Sequence, residues 1–171
     1  MGSQLSEVSV MQSLQHKHIV QYHSSFVVGS SLCLVMEYCE KGDLSTYLLN
    51  QKNFSLAESK IWRFFIELLL GVGYIHSKNI VHRDLKPGNI FLRHKDYEIK
   101  IGDFGISTLI KNKKINYDHV GTLYYSSPEV IAGKAYDFKT DVWSLGCVLY
   151  QLCTLHPPFE STKEDMLRLR I

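Results

Sequence analysis

The chain has 171 residues, 45% of them hydrophobic and 21% charged, a balance that fits one globular domain with a substantial core. A formal net charge of +2 gives no electrostatic reason to expect nucleic acid or an anionic membrane as partner, and no apolar run reaches bilayer-spanning length. Cys33, Cys39, Cys147 and Cys153 form no C-x-x-C pair and lie in apolar runs. They are expected to be reduced and mostly buried, in a cytoplasmic setting with nuclear or cytoskeletal association open.

The chain starts without a signal-peptide pattern. Met1-Gly2-Ser3-Gln4-Leu5-Ser6 fits a myristoylation pattern, but the same residues open a helix. Leu5, Val8, Met11 and Leu14 recur at its spacing. Val20, Tyr22, Ser24, Phe26 and Val28 then alternate as in a strand. Gly29-Ser30-Ser31 is a turn, 32–36 a second strand, and Glu40-Lys41-Gly42-Asp43 a connector. Ser55-Leu56-Ala57-Glu58 reads as a capping box. Behind it Ile61, Phe64, Phe65, Leu68, Leu69, Val72 and Ile75 form an apolar helical stripe that ends near Lys78-Asn79. Short strands follow at Ile90-Phe91-Leu92 and Ile99-Lys100-Ile101. Residues 142–153 are apolar almost all round, which predicts a helix buried in a core.

Chemistry concentrates between the helices. His82-Arg83-Asp84-Leu85-Lys86-Pro87-Gly88-Asn89 is followed by Asp103-Phe104-Gly105. These runs match the catalytic-loop and D-F-G patterns of protein kinases. One carboxylate for an incoming hydroxyl, with an Asp and an Asn for metal ions, is the set that phosphoryl transfer from Mg-ATP requires. A competing reading makes Asp84 a helix cap and Asn89 a turn residue; the joint order and spacing argue against it. Antibiotic kinases also carry an Asp and an Asn five residues apart, but Arg83, Lys86 and Ser127-Pro128-Glu129 argue for a protein kinase.

The chain thus resembles a eukaryotic Ser/Thr protein kinase. Residues 34–44, Asn89-Ile90-Phe91-Leu92 and 145–150 sharpen the resemblance to the NIMA-related kinases. It implies an α+β, two-lobe fold, with 1–37 as part of the small lobe and 38–171 as the hinge and part of the helical lobe. It also implies ATP and Mg²⁺ as cofactors and protein Ser or Thr as substrate. Asp84 would take the hydroxyl proton, Lys86 would contact the transferred phosphate, and Asn89 and Asp103 would hold the metal. Thr122 would hydrogen-bond Asp84 and Lys86, or serve only as a loop residue. Met36 would be the gatekeeper, and backbone groups of Glu37 and Cys39 would bind the adenine edge. Phe91 would form the floor, with Asp43 near the ribose. Met11, Tyr22, His82 and Phe104 would stack into a spine, and Asp141 would accept hydrogen bonds from the catalytic-loop backbone.

Two departures qualify the resemblance. No G-x-G-x-x-G occurs in the sequence, and Glu7, placed to pair with an ATP-binding Lys, has no such strand lysine before it. Kinase helices with the Arg expected opposite Glu129 are also missing, so the chain reads as incomplete at both ends. An uncovered apolar face is expected on the 142–153 helix, a surface for a partner or for self-association. A non-catalytic, kinase-like binding module stands as the alternative function. Asp118, three residues before Gly121-Thr122, occupies the position of a regulatory phosphate in the family. It would partly balance Arg83, or lie solvated in a loop.

Overall fold

A computed structural model describes residues 2–51, 55–105, 107–109, 123–161 and 164–171. Helix α1 (Gly2–Ser13) leads into strands β1 (Tyr22–Val28) and β2 (Ser31–Met36), an antiparallel pair that turns at Gly29, φ +60°. Helices α2 (Leu44–Leu49) and α3 (Glu58–Ser77) follow, then the short strand β3 (Ile80–Val81). Strands β4 (Ile90–Arg93) and β5 (Glu98–Ile101) form a hairpin, and β6 (Thr108–Leu109) pairs with β3. Helices α4 (Pro128–Ile131), α5 (Lys139–Thr154) and α6 (Glu164–Arg170) complete the α+β arrangement.

The β4–β5 hairpin sits at the centre because both of its faces are used. Ile90, Leu92, Ile99 and Ile101 alternate onto one face and are fully buried against α3, with Phe64, Leu68, Val72 and Ile75. Each such side chain contributes roughly 1.5–3 kcal/mol when taken out of water. The other face carries Phe91 and Arg93, cross-strand from Lys100 and Glu98, and turns toward the β1–β2 pair. Two backbone seams hold these parts together. Val20 N–H donates to Ile101 O at 2.8 Å, and Leu92 N–H donates to Gly42 O at 2.8 Å.

Several expectations are corrected here. The Ser55–Glu58 capping box does not form: α3 begins at Glu58, with Ala57 as N-cap and no side-chain cap bond. Leu56 is buried and draws the chain into the core one step before the helix starts. Of the cysteines only Cys147 is buried; Cys33 and Cys39 are half-buried and Cys153 is exposed, although none forms a disulfide. The alternation of β1 is broken by a register shift between Tyr22 and Ser24, and Phe26, Val27 and Val28 are all exposed. Leu69 points outward on α3 with Trp62, Ile66 and Leu70. The expected uncovered face on α5 is present at Val142 and Tyr150, each about half exposed.

Candidate active site

The catalytic-loop run lies between β3 and β4 and is anchored from below by α5. Asp141, in the first turn of α5, is fully buried. It accepts the backbone N–H of His82 at 2.9 Å, that of Arg83 at 2.9 Å and His76 Nε2 at 2.7 Å. A buried carboxylate is tolerated because each of these donors is itself in need of a partner. Arg83 sits in the left-handed region at φ 73°, a conformation that costs a non-glycine residue about 1–2 kcal/mol. The bond from its N–H to Asp141 helps hold it there, while its guanidinium donates to Tyr136 Oη at 3.1 Å.

His82 locks the next step of the loop. Its Nε2 lies 3.0 Å from Gly102 O; a carbonyl only accepts, so Nε2 carries the proton. Nδ1 then accepts Asp84 N–H at 3.3 Å. The ring packs against Phe104 at 5.0 Å between centroids. Met11 and Phe104 belong to the same buried cluster, and Tyr22 packs against it. The four residues expected to form a spine therefore share one core.

Above this base, Asp84, Lys86 and Asn89 converge. Lys86 Nζ donates to Asp84 Oδ2 at 2.7 Å, and Asn89 Nδ2 donates to the same oxygen at 2.9 Å and to Asp84 O at 2.9 Å. The hairpin register brings in Asp103. Ile90 pairs with Ile101 and Gly102 N–H donates to Asn89 O at 3.0 Å, so Asn89 and Asp103 stand at the same strand end. Asp103 is exposed, at φ 58°, with Gly105 N–H 3.4 Å from its Oδ1.

Met36, Glu37, Cys39, Asp43 and Phe91 line one cleft of about 260 Å³, together with Val20, Tyr38 and Gly42. Glu37 N–H donates to Gln21 O at 2.8 Å, so its carbonyl is the backbone group left to face a ligand. Asp43 has a second task, capping α2 by accepting Thr46 N–H at 2.8 Å and Thr46 Oγ1 at 3.0 Å. Burial and the neighbouring Glu37 push the Cys39 thiol up to about 11, so this cysteine is a protonated, unreactive wall. Thr122, Gly121 and Asp118 lie outside the described residues, as does the side chain of Glu7.

The cleft floor depends on a glycine. A Cβ at Gly102 would stand 2.7 Å from Phe91 Cε2 and 3.0 Å from Val20 Cγ2. Gly102→Ala is therefore expected to displace the Phe91 ring, with overpacking of about 1–3 kcal/mol. Titration with an adenine nucleotide checks this; unchanged affinity would mean that Phe91 is no floor.

Sequence reasoning missed two groups. His76 lies in the last turn of α3 and its side chain reaches Asp141; a polar residue next to buried Ile75, just ahead of the loop, was the only hint. The second is an ion cluster on Glu37. Its carboxylate accepts Lys100 Nζ at 3.1 Å, Gln21 N–H at 3.1 Å and the Arg93 guanidinium. Arg93 and Lys100 interrupt otherwise apolar strands, which was the available signal. Burial raises the Glu37 carboxyl, but Gln21, Lys100 and Arg93 together outweigh it and hold it below its ordinary value of 4.5. A depressed carboxyl adds stability above its unfolded value, and that stability is lost as pH falls through the folded one. Urea midpoints should therefore drop on acidification below pH 4.5, and Glu37→Gln should flatten that part of the curve.

Against this geometry the comparisons with known proteins are decisive. The protein kinase domain family matches residues 2–170. The chain belongs to the protein kinase family. It is 42% identical over 166 residues to human serine/threonine-protein kinase Nek5, covering 96% of this chain and 23% of that protein. Mouse serine/threonine-protein kinase Nek1 is 42% identical over 96% of this chain and 14% of its own length. The probable serine/threonine-protein kinase nek2 of Dictyostelium discoideum is 39% identical over 98% and 41%. The resemblance to NIMA-related kinases is thus borne out, and the chain spans less than half the length of each of these relatives.

Proposed function

We propose that this kinase chain carries the site that transfers the γ-phosphate of ATP to Ser or Thr of protein substrates. The observation that carries the reading is the single hairpin serving both halves of the reaction. Its Phe91 face lines the cleft, and its end sets Asn89, which bonds Asp84, at the same strand end as Asp103. In this reading Asp84 takes the proton from the substrate hydroxyl, and Lys86 balances charge on the transferred phosphate.

A magnesium ion fits the donors present. Asn89 spends its Nδ2 on Asp84, which turns its carbonyl oxygen outward as a ligand, and the exposed Asp103 supplies a carboxylate. Both are the hard oxygens that Mg²⁺ selects, and such an ion completes its shell with water and phosphate oxygens. Bound there, the ion would neutralise charge on the phosphate oxygens.

The absence of a glycine-rich loop from the 171 residues supports a second reading for the isolated chain, a kinase-like binding module with weak nucleotide affinity. Phosphoamino-acid analysis after incubation with labelled ATP separates the two. Phosphoserine and phosphothreonine support transfer. Weak ATP binding without product supports the module, and phosphotyrosine as main product defeats the substrate assignment. The unbridged cysteines support a reducing, cytoplasmic location, and the apolar face on α5 supports a protein partner or self-association. No helix among the described residues is long and apolar enough to cross a membrane.

A further inference from the structure

Behind the hinge lies a second cavity, of about 650 Å³, that the proposed reaction does not use. Its walls include Lys17, Arg93 and Lys100, one carboxylate from Glu37, and the imidazoles of His16 and His23. Lys100 is only 6% exposed, a deep position for an ammonium on a half-open wall. Glu37 does not exhaust these cations. An ammonium has three donors and a guanidinium five, and one carboxylate takes part of each. Lys17 reaches Glu98 at 3.2 Å but is 72% exposed, so that pair holds it weakly.

Counting Glu98 with Glu37, the three cations leave an excess of one positive charge. Burial first, then the neighbouring His18 and Lys100, hold the His16 imidazole below its ordinary value. Three cationic side chains line this one space, and together they can bond more oxygens than Glu37 offers. A carboxylate offers two, whereas a phosphate monoester offers three and up to two negative charges. The planar fork of Arg93 suits it further.

We propose that this cavity is a phosphate-binding site, occupied by a phosphorylated side chain of a peptide or by a small free phosphoester. The site stands apart from Asp84 and Lys86, but Glu37 lines both this cavity and the nucleotide cleft. A phosphate that draws Arg93 and Lys100 away from Glu37 would loosen the tether of the hinge and so change nucleotide affinity, a coupling that must run both ways. The coupling rests on the nucleotide reading above; the phosphate site does not.

Amide NMR titration of the 171-residue chain tests the site directly, with inorganic phosphate, a phosphoserine peptide and the same peptide unphosphorylated. Saturable shifts are expected at Gln21, His23, Arg93 and Lys100 with the first two ligands and none with the third. A phosphopeptide that binds more tightly than inorganic phosphate identifies a peptide source, and equal affinities identify a free phosphoester. Arg93→Gln should weaken binding by roughly tenfold. Lys17→Gln, on an exposed side chain that cannot unfold the chain, should weaken it by roughly threefold. Lys86→Ala should leave it unchanged. No saturable shift with either phosphate ligand overturns the proposal, as does binding that Lys86→Ala removes and Lys17→Gln spares.

Discussion

Asp84→Ala, in the chain joined to a glycine-rich loop and its lysine strand, is expected to lower phosphate transfer to protein Ser and Thr by roughly a hundred- to ten-thousand-fold, the range a positioned general base supplies. The effect should fall on turnover. Asp84 is not a wall residue of the cleft proposed to hold the nucleotide, so nucleotide affinity should stay close to that of the parent. Lys86 and Asn89 would each lose an acceptor at Oδ2, but Lys86 is part-exposed and water can replace that bond. Asp103→Asn should act differently. It keeps a residue type that tolerates the left-handed φ of 58°, so the fold survives while the metal loses its carboxylate. Its loss should be partly recovered by raising the Mg²⁺ concentration, whereas that of Asp84→Ala should not. Transfer of labelled phosphate, measured across Mg²⁺ concentrations, decides the matter. Equal rescue of both variants would mean that the two carboxylates do not have separate roles.

The largest effect on stability is expected at Asp141, which contacts neither cleft. Asp141→Ala strips three buried or half-buried donors of their acceptor: His82 N–H, Arg83 N–H and His76 Nε2. An unsatisfied buried donor costs about 1–3 kcal/mol, and this variant leaves three without their acceptor at once. Arg83 would also be released from its left-handed conformation, and relaxation there would carry Asp84 out of place. His76→Ala removes only one of the three bonds, so about 1.5–3 kcal/mol is expected. Because the two side chains touch, their effects should fall short of additive. Urea unfolding of both single variants and the double variant measures this directly. If Asp141→Ala shifted the midpoint no more than His76→Ala does, the backbone of the catalytic loop would not depend on α5.

The catalytic-loop run and the strands that follow it were legible in the sequence because both signals are local, whereas the cleft residues came only from the family resemblance. Spacing within eight residues places Asp84, Lys86 and Asn89 on one loop. Period-two alternation gives β4 and β5, and their short connection leaves an antiparallel hairpin as the simple pairing. The exposure of Val142 and Tyr150 on α5 was legible too, since a helix apolar all round needs cover on every side.

What lay beyond reach depends on contacts between distant segments. Nothing near His76 in the sequence announces a carboxylate 65 positions later. Nothing in the alternation of β5 tells that Lys100 meets Glu37 rather than solvent. The failed capping box and the outward-facing Phe26 have the same origin. A Ser-x-x-Glu spacing is only an offer to cap, overruled when Leu56 is buried. The outer end of β1 is uncovered on both faces, so Phe26, Val27 and Val28 are all exposed whatever their alternation. Local order followed from chain-neighbour sterics and periodicity. The partners of buried charges were decided only when the tertiary fold set which groups lost water together.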